Sequence, residues 1–214
     1  MVGSPRSVII AVDGPLASGK GTIARALGAR FGVPHLDTGA LYRAVAVAMI
    51  EKGLPPEDAD AAEEVARTLD VNAIDEGKIR TAGAGVAASV VSAHPRVRAA
   101  LLDVQRIFAT QPGGAVLDGR DIGTVICPDA DVKLFVTADE ESRAWRRRAE
   151  LVNRGEDISF EQVLGQLRQR DARDASRADA PMLKAEDALE LDTSEMSVDE
   201  AVREAIRLVE QKLG

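Results

Sequence analysis

Val8-Ile9-Ile10-Ala11-Val12-Asp13-Gly14-Pro15-Leu16-Ala17-Ser18-Gly19-Lys20-Gly21-Thr22-Ile23-Ala24-Arg25-Ala26-Leu27 decides how the rest of the chain is read. It opens on an apolar run, Val8 to Val12, with the composition of a strand buried on both faces of a parallel sheet. Asp13 and Gly14 end that run. Gly14, Gly19 and Lys20 then stand at G-x-x-x-x-G-K spacing, and Thr22 to Leu27 has the apolar spacing and propensity of a helix. Strand, glycine loop and helix in this order bring backbone N–H groups, the positive end of a helix dipole and one ammonium group to the same point. Phosphate oxygens suit such a cradle. Gly14 and Gly19 supply dihedrals and close approach that a side chain would block.

The strict phosphate-loop pattern places Ser or Thr directly after the lysine, whereas here Gly21 intervenes and Thr22 follows. The form G-x-x-x-x-G-K-G-T resembles the loop of the nucleoside monophosphate kinases, and Thr22 is the candidate hydroxyl for a metal on the phosphates.

With 214 residues the chain is long enough for one well-buried core, and a single domain over 1–214 is expected. A formal charge of -8 with 29% charged residues gives no electrostatic case for general binding to nucleic acid or to an anionic membrane. Cys127 is the one cysteine, so an intrachain disulfide is impossible and a reducing compartment is the natural setting. No apolar stretch approaches the ~20 residues of a membrane span, and Met1 to Ser7 lacks a secretory h-region. The cytoplasm is the expected location, and a monomer the expected state.

Beyond the first helix, His35 to Asp37 reads as a very short strand, with Thr38 a candidate N-cap for a helix from Gly39 to Lys52. Tyr42 and Arg43 fall near its start, on a different side from the stripe of Ala40, Leu41, Ala44, Val45, Ala48 and Met49. Glu57 to Leu69 reads as a helix. Asp70 to Thr81 is polar and irregular, with a brief hairpin expected around Glu76-Gly77. Ala84 to Thr110 returns to helix, broken near His94-Pro95 because the residue before proline avoids the α region. Ala115 to Asp118 is a strand leading into Gly119-Arg120-Asp121, at the carboxyl end where parallel sheets bind ligands. Val132 to Val136 is another, followed by an expected capping box at Thr137 and Glu140. Ser159 with Gln162, and Ser197 with Glu200, cap two further helices, the first reaching about Asp171 and the second Lys212. A last strand centres on Leu189 to Leu191. Five strands alternating with helices predict an α/β, three-layer arrangement with a five-stranded parallel sheet flanked by helices, and the resemblance of the loop implies that this is a P-loop kinase fold.

Between Arg143 and Arg177 there are nine arginines and no lysine, in a chain of acidic balance. Guanidinium groups bind phosphate bidentately and stay charged, so the run points to a phosphate site. Composition accounts for part of it, since 21 of the 27 basic residues are arginine. The alternation Arg170-Asp171-Ala172-Arg173-Asp174 also allows simple ion pairing.

The stretches Gly14 to Thr22, Leu36-Asp-Thr-Gly-Ala-Leu-Tyr-Arg43, Pro95-Arg-Val-Arg98, Leu117-Asp-Gly-Arg-Asp-Ile-Gly-Thr124, Arg170 to Asp174 with Arg177, and Leu191-Asp192 together resemble the bacterial cytidylate kinases over almost the whole chain. The resemblance implies that Lys20 and the loop residues Gly14, Pro15, Leu16, Ala17, Ser18, Gly19, Gly21 and Thr22 hold the ATP phosphates. It implies that Arg43, Arg120 and Arg177 grip the acceptor phosphate and act with Lys20 in catalysis. Ser89, Arg98 and Asp121 would read the cytosine edge, and Thr38, Gly39, Tyr42, Arg170 and Asp174 would line the phosphate and ribose pocket. ATP, CMP and dCMP are the implied small-molecule partners and Mg2+ the implied cofactor. An acceptor-binding region of about 38–110 and a lid of about 150–160 go with this reading. Two features depart from the family. Asp70 to Thr81 is shorter than the insertion of longer relatives, and Pro15-Leu16 puts a bulky apolar side chain where small residues are usual.

Cytosine offers an amine donor beside two acceptors, so a carboxylate and a guanidinium suit its edge. Other kinases of this build stay open as alternatives, with UMP, AMP or shikimate as acceptor. An adenylate kinase would read Asp-Gly-Phe-Pro-Arg where this chain has Asp118-Gly-Arg-Asp121. A nucleotide-dependent switch lacks its Asn-Lys-x-Asp motif here, and an RNA-binding module fits poorly with an acidic chain of six aromatic residues.

Overall fold

The computed structural model describes residues 7–214. The opening residues 1–6, part of the start read above as lacking an h-region, lie outside the described residues. Strands β1 (Val8–Asp13), β2 (His35–Asp37), β3 (Gly114–Gly119), β4 (Val132–Thr137) and β5 (Leu189–Asp192) form one sheet in the order β2-β3-β1-β4-β5. Every pairing is parallel, with Ile10 of β1 opposite Val116 of β3 and Val132 of β4. The chain winds first to one side of β1 and then to the other, so the loop after β1 stands at the switch point of the sheet.

Alternate residues of the strands feed opposite layers, as a period of two requires. Ile10, Val12, Val116, Leu134 and Val136 pack with Ile23 and Leu27 of helix α1 (Lys20–Phe31) and with Ala205 and Val209 of the final helix, α9 (Val198–Leu213). Ala11, Ala115 and Leu117 face the other way, onto Ala109 and onto Ile122 and Ile126 of a π-helical turn, Ile122–Ile126. Helices α2 (Thr38–Glu51), α3 (Ala59–Arg67), α5 (Ala82–Val91) and α6 (Pro95–Ala109) share a separate apolar cluster centred on Leu41, Val45, Met49 and Val91. Helices α7 (Glu140–Val152) and α8 (Phe160–Ala175) form a small cluster of their own through Ala144, Leu151, Val163 and Leu167.

The loop after β1 is shaped by close packing. Gly14 has φ +150°, and a Cβ there would come within 1.9 Å of the Val136 carbonyl of β4. Ala17 at φ 62° and Gly19 at φ 90° both take the left-handed region, and Gly19 caps α1 with no side-chain hydrogen bond. Leu16, the bulky departure from the family pattern, packs out of the way against the α7–α8 cluster.

Several local expectations are corrected. Asp37, not Thr38, caps α2: its carboxylate accepts from the Ala40 amide at 3.2 Å, while the Thr38 hydroxyl is drawn inward to the Asp118 carbonyl at 2.8 Å. Asp139, not Thr137, caps α7, because Thr137 is still strand and its carbonyl accepts from the Thr193 amide. The hairpin expected at Glu76-Gly77 is a single helical turn, α4 (Glu76–Ile79), whose amides are taken by Asp75. Helix α8 runs four residues past Asp171, so Arg173 and Asp174 are helical. The breaks at His94-Pro95 and the capping boxes at Ser159 and Ser197 are as read from the sequence. Among the described residues no helix is long and apolar enough to cross a membrane.

Adding a methyl group separates the two loop glycines. Gly19→Ala meets no heavy atom within 4 Å and carries only its dihedral strain, a loss of ~1–2 kcal/mol. Gly14→Ala must displace β4 as well and should lose at least about twice that in denaturant unfolding. Equal losses for the two variants would contradict the close packing.

Candidate active site

The loop 16–22 forms one wall of a cleft of about 410 Å³, and Gly39, Arg43, Gly119, Arg120 and Arg170 stand on the other side. Lys20 lies at its floor, only 8% exposed, with Nζ donating to the Pro15 carbonyl at 3.3 Å. Burial, and then the charge of Arg120, push its ammonium down to about 7. Arg170, a further cation at the cleft, is pushed down to about 9 by burial and by Arg120, Arg43 and Arg177, with Asp174 opposing. Too much positive charge has been gathered for the carboxylates present.

Those carboxylates are few and well placed. Asp174, fully buried on α8, accepts from Arg120 Nε at 2.9 Å and from Arg177 Nη2 at 2.5 Å, and lies 3.8 Å from Arg170 Nε. Burial raises Asp174, but the three arginines outweigh it and hold the group below the ordinary carboxylate range. Asp37 accepts from Arg43 Nη2 at 2.6 Å. Even so, the Nε–H groups of Arg43, Arg170 and Arg177 are buried without a hydrogen-bond partner. An unpaired buried donor costs roughly 1–3 kcal/mol, more when charged, so these groups favour an incoming anion.

Behind the cleft, Arg98 is 7% exposed and pairs with the buried Asp121, with its guanidinium 5.8 Å from the Tyr42 ring centre. Tyr42 belongs to the apolar cluster of α2 after all, packed beneath Arg98. Asp13, at the end of β1, accepts from the amides of Ile122 and Gly123 at 2.8 and 2.7 Å, which fixes the turn that follows Arg120 and Asp121. Burial pushes Asp13 up to about 7 against those two hydrogen bonds.

The sequence-predicted residues therefore fall into two linked groups. The loop, Gly39, Arg43, Arg120 and Arg170 share the cleft; Arg98, Asp121, Tyr42 and Ser89 lie outside its lining, and Arg177 bridges the groups through Asp174. Ser89 makes no hydrogen bond to the Arg98 and Asp121 pair, and its Oγ accepts instead from Arg173 Nη1 at 2.5 Å. Thr38 spends its hydroxyl proton on the Asp118 carbonyl.

Residues that sequence reasoning missed are mostly struts. Arg143, 4% exposed, donates to the carbonyls of Ala138 and Leu16 and pairs with Asp171 at 2.7 Å, tying the loop to α7 and α8. Arg146 donates to Thr193, whose hydroxyl donates to the Ser18 carbonyl. His35 meets Asp118 at 2.6 Å, in keeping with a strand-end role. The signal for Arg143 and Arg146 in the chain was the arginine run itself.

A lone lysine among amides would serve any nucleotide binder. A second set of cations facing it across the same cleft, with unpaired N–H groups, suits a protein that moves a phosphoryl group from one phosphate to another. Fold and cleft together define a P-loop phosphotransferase. The family model described as cytidylate kinase matches residues 10–211, and the chain belongs to that family. It is 57% identical to a cytidylate kinase of Xanthobacter autotrophicus over 96% of this chain and 98% of that one. It is 54% identical to one of Azorhizobium caulinodans over 97% of this chain and the whole of that one. Among solved structures, an uncharacterized protein from Eubacterium ventriosum shares the fold at 13% identity, with a TM-score of 0.57 over 95% of this chain and 99% of that one. A protein from Thermus thermophilus does so at 22% identity, with a TM-score of 0.50 over 97% and 98%.

Nucleotide binding should be coupled to Lys20. At pH 8 its amine is largely neutral, and nearby phosphates favour the ammonium, so ATP binding takes up a proton. Calorimetry in buffers of different ionisation enthalpy should show this uptake in the natural chain and not in Lys20→Met. Equal buffer dependence in both would contradict it.

Proposed function

We propose that this chain, an ATP-dependent nucleoside monophosphate kinase by family, transfers the γ-phosphoryl of ATP to CMP or dCMP, giving CDP or dCDP and ADP. The observation that carries the reading is the set of unpaired buried N–H groups on Arg43 and Arg170, which line the cleft with the phosphate loop, and on Arg177, held beside them through Asp174. Lys20 and the loop amides hold the donor phosphates. Arg43, Arg120 and Arg177 hold the acceptor phosphate, with Arg170 between the two. Asp174 keeps these guanidinium groups together, and the pocket they form with Gly39 receives phosphate and ribose, backed by Thr38 and Tyr42 behind its lining.

The buried pair of Arg98 and Asp121 reads the base. Its carboxylate suits the cytosine amine and its guanidinium the ring acceptors. Uracil would leave that carboxylate without a donor. No general base is needed, because the second ionisation of a phosphate monoester lies near ~6 and the attacking oxygen is already anionic. Alignment, charge neutralisation and exclusion of water carry the rate.

The residues present suit Mg2+. Thr22 offers a hydroxyl oxygen in the loop, and the buried Asp118 carboxylate lies within about 4 Å of the space beside Gly21, a hard-oxygen set of the kind this ion takes alongside phosphates. Among the described residues no cluster of three ligating side chains exists, so most of its ligands would be phosphate oxygens and water. When bound, the ion neutralises charge on the donor phosphates.

The segment 150–160 is the lid over the acceptor region 38–110. Support comes from Arg154, which donates to the Arg80 carbonyl, and Glu156, which accepts from the Ala82 amide at 3.0 Å. A monomer is the proposed working unit. Nucleotide substrates and a free, buried Cys127 support the cytoplasm as its setting.

An ADP-release assay with CMP, dCMP, UMP, AMP and shikimate as separate acceptors tests this reading. CMP or dCMP should be turned over fastest, and preference for AMP or shikimate would overturn it. Lys20→Met should lower kcat by at least about 100-fold while leaving the melting curve in place. Near-normal turnover in that variant would remove Lys20 from the chemistry.

A further inference from the structure

We propose that Asp13, at the end of β1, caps the turn Ile122–Ile126 in place of Asp121, and in doing so keeps the Asp121 carboxylate facing Arg98 for the base of the acceptor. Asp13 is thus a positioning residue for acceptor choice, although it stands directly ahead of the donor loop. The inference rests on the reading above, in which the pair of Arg98 and Asp121 reads the base.

An aspartate directly ahead of a helical turn commonly accepts from the amides of that turn with its own side chain. Asp37, Asp58, Asp75 and Asp139 each do so for the helix that they precede. Asp121 departs from this habit. It stands at the N-cap of Ile122–Ile126, and its carbonyl accepts from the Val125 and Ile126 amides at 2.9 and 3.2 Å, yet its side chain makes no capping hydrogen bond. The carboxylate is buried and committed to Arg98 instead.

The amides it leaves open are taken from the neighbouring strand. Asp13 Oδ1 accepts from the Ile122 amide at 2.8 Å and Oδ2 from the Gly123 amide at 2.7 Å, one oxygen for each of the first two amides of the turn. Gly123 is the second residue of the turn, where a capping side chain finds its donor. Asp13 therefore fills the hydrogen bond for which Asp121 would otherwise leave Arg98. It is itself buried, and it stands opposite Gly119 in the β1–β3 register, so the two strands set its reach.

Among the described residues, the contacts that hold the donor loop run elsewhere. Gly14 presses on the Val136 carbonyl, and the carbonyls of Pro15, Leu16 and Ser18 accept from Lys20, Arg143 and Thr193. Loss of the Asp13 carboxylate therefore falls on the acceptor side. Two buried amides lose their acceptors, and Asp121, in the adjoining residue, can meet that cost by turning back onto its own turn. Arg98 then loses its partner, and cytosine loses the carboxylate that takes its amine. A packing role alone would lower stability or slow every acceptor alike, leaving the ratio of CMP to UMP where it was.

The test measures kcat/KM for CMP and for UMP, and the Kd for ATP without acceptor, in Asp13→Ala, Asp121→Asn and the double variant, together with a crystal structure of Asp13→Ala. Asp13→Ala should lower the CMP to UMP ratio about tenfold, with the Kd for ATP within about twofold of that of the natural chain. The double variant should have no lower a ratio than Asp121→Asn alone, because Asp13 acts through Asp121. In the crystal, the Asp121 carboxylate should accept from the Gly123 amide and stand away from Arg98. If Asp13→Ala does not fold, Asp13→Asn, which keeps the size and one accepting oxygen, should lower the ratio about threefold. An unchanged ratio in the folded variant, an Asp121 still paired with Arg98 in its crystal, an equal loss in ATP binding, or losses that multiply in the double variant would overturn the inference. An Asp121→Asn chain that keeps the natural ratio would instead overturn the functional reading beneath it, and the crystal of Asp13→Ala would still decide whether Asp13 directs Asp121.

Discussion

One buried carboxylate shared by three guanidinium groups governs the site. Asp174 has no exposure to solvent and faces Arg120, Arg170 and Arg177. At an effective dielectric near 20, two like charges about 4 Å apart repel by ~4 kcal/mol, so cations do not gather this way unaided. Asp174 makes the gathering possible without neutralising it, and Asp37 does the same for Arg43. Burial first, and then this surplus, push Lys20 and Arg170 toward their neutral forms. An anionic ligand relieves that surplus, which is why the fold tolerates it. Charge that is costly in the empty cleft becomes binding energy when phosphates arrive.

The division of the apolar interior fits such a task. The phosphate loop is fastened to the sheet, with Gly14 pressed onto β4 and α1 packed into the main cluster. The helices that carry Arg43 and Ser89 pack around a different cluster, and α7 and α8 around a third and smaller one. Polar struts add to the packing of Leu16 and Ala82 in tying the third cluster to the rest: Arg143 to the loop, and Arg154 and Glu156 to the backbone at Arg80 and Ala82. Elements joined by a few polar contacts open at lower free energy than a shared core does.

What could be read from the chain followed from how local its cause was. The strand, loop and helix from Val8 to Leu27 were legible because period, glycine spacing and helix propensity all agree within twenty residues. The capping boxes at Ser159 and Ser197 were legible for the same reason. Thr38 and Thr137 were misread as caps because a partner distant in sequence decides each: the Asp118 carbonyl draws in Thr38, and β5 and the turn after it hold Thr137 in the sheet. The stretch 70–81 looked irregular because Asp75 satisfies amides locally, one turn at a time. Helix α8 outran its expected end because Asp174 in its last turn, four residues from Arg170, is held by Arg120 from the loop after β3. In the site, the arginines were legible as residue types. The partner of Arg43 is local, Asp37 at the cap of the same helix, whereas the pairing of Arg173 with Ser89 depends on tertiary placement that no spacing in the chain records.

A crystal structure with a bisubstrate mimic, adenosine and cytidine joined through a chain of phosphates, tests the central claim most directly. The account predicts that the unpaired Nε–H groups of Arg43, Arg170 and Arg177 turn to phosphate oxygens opposite Lys20, with Asp174 still holding the cluster together. If the mimic bound with its phosphates elsewhere, and those three N–H groups stayed buried and unpaired, the account would be contradicted.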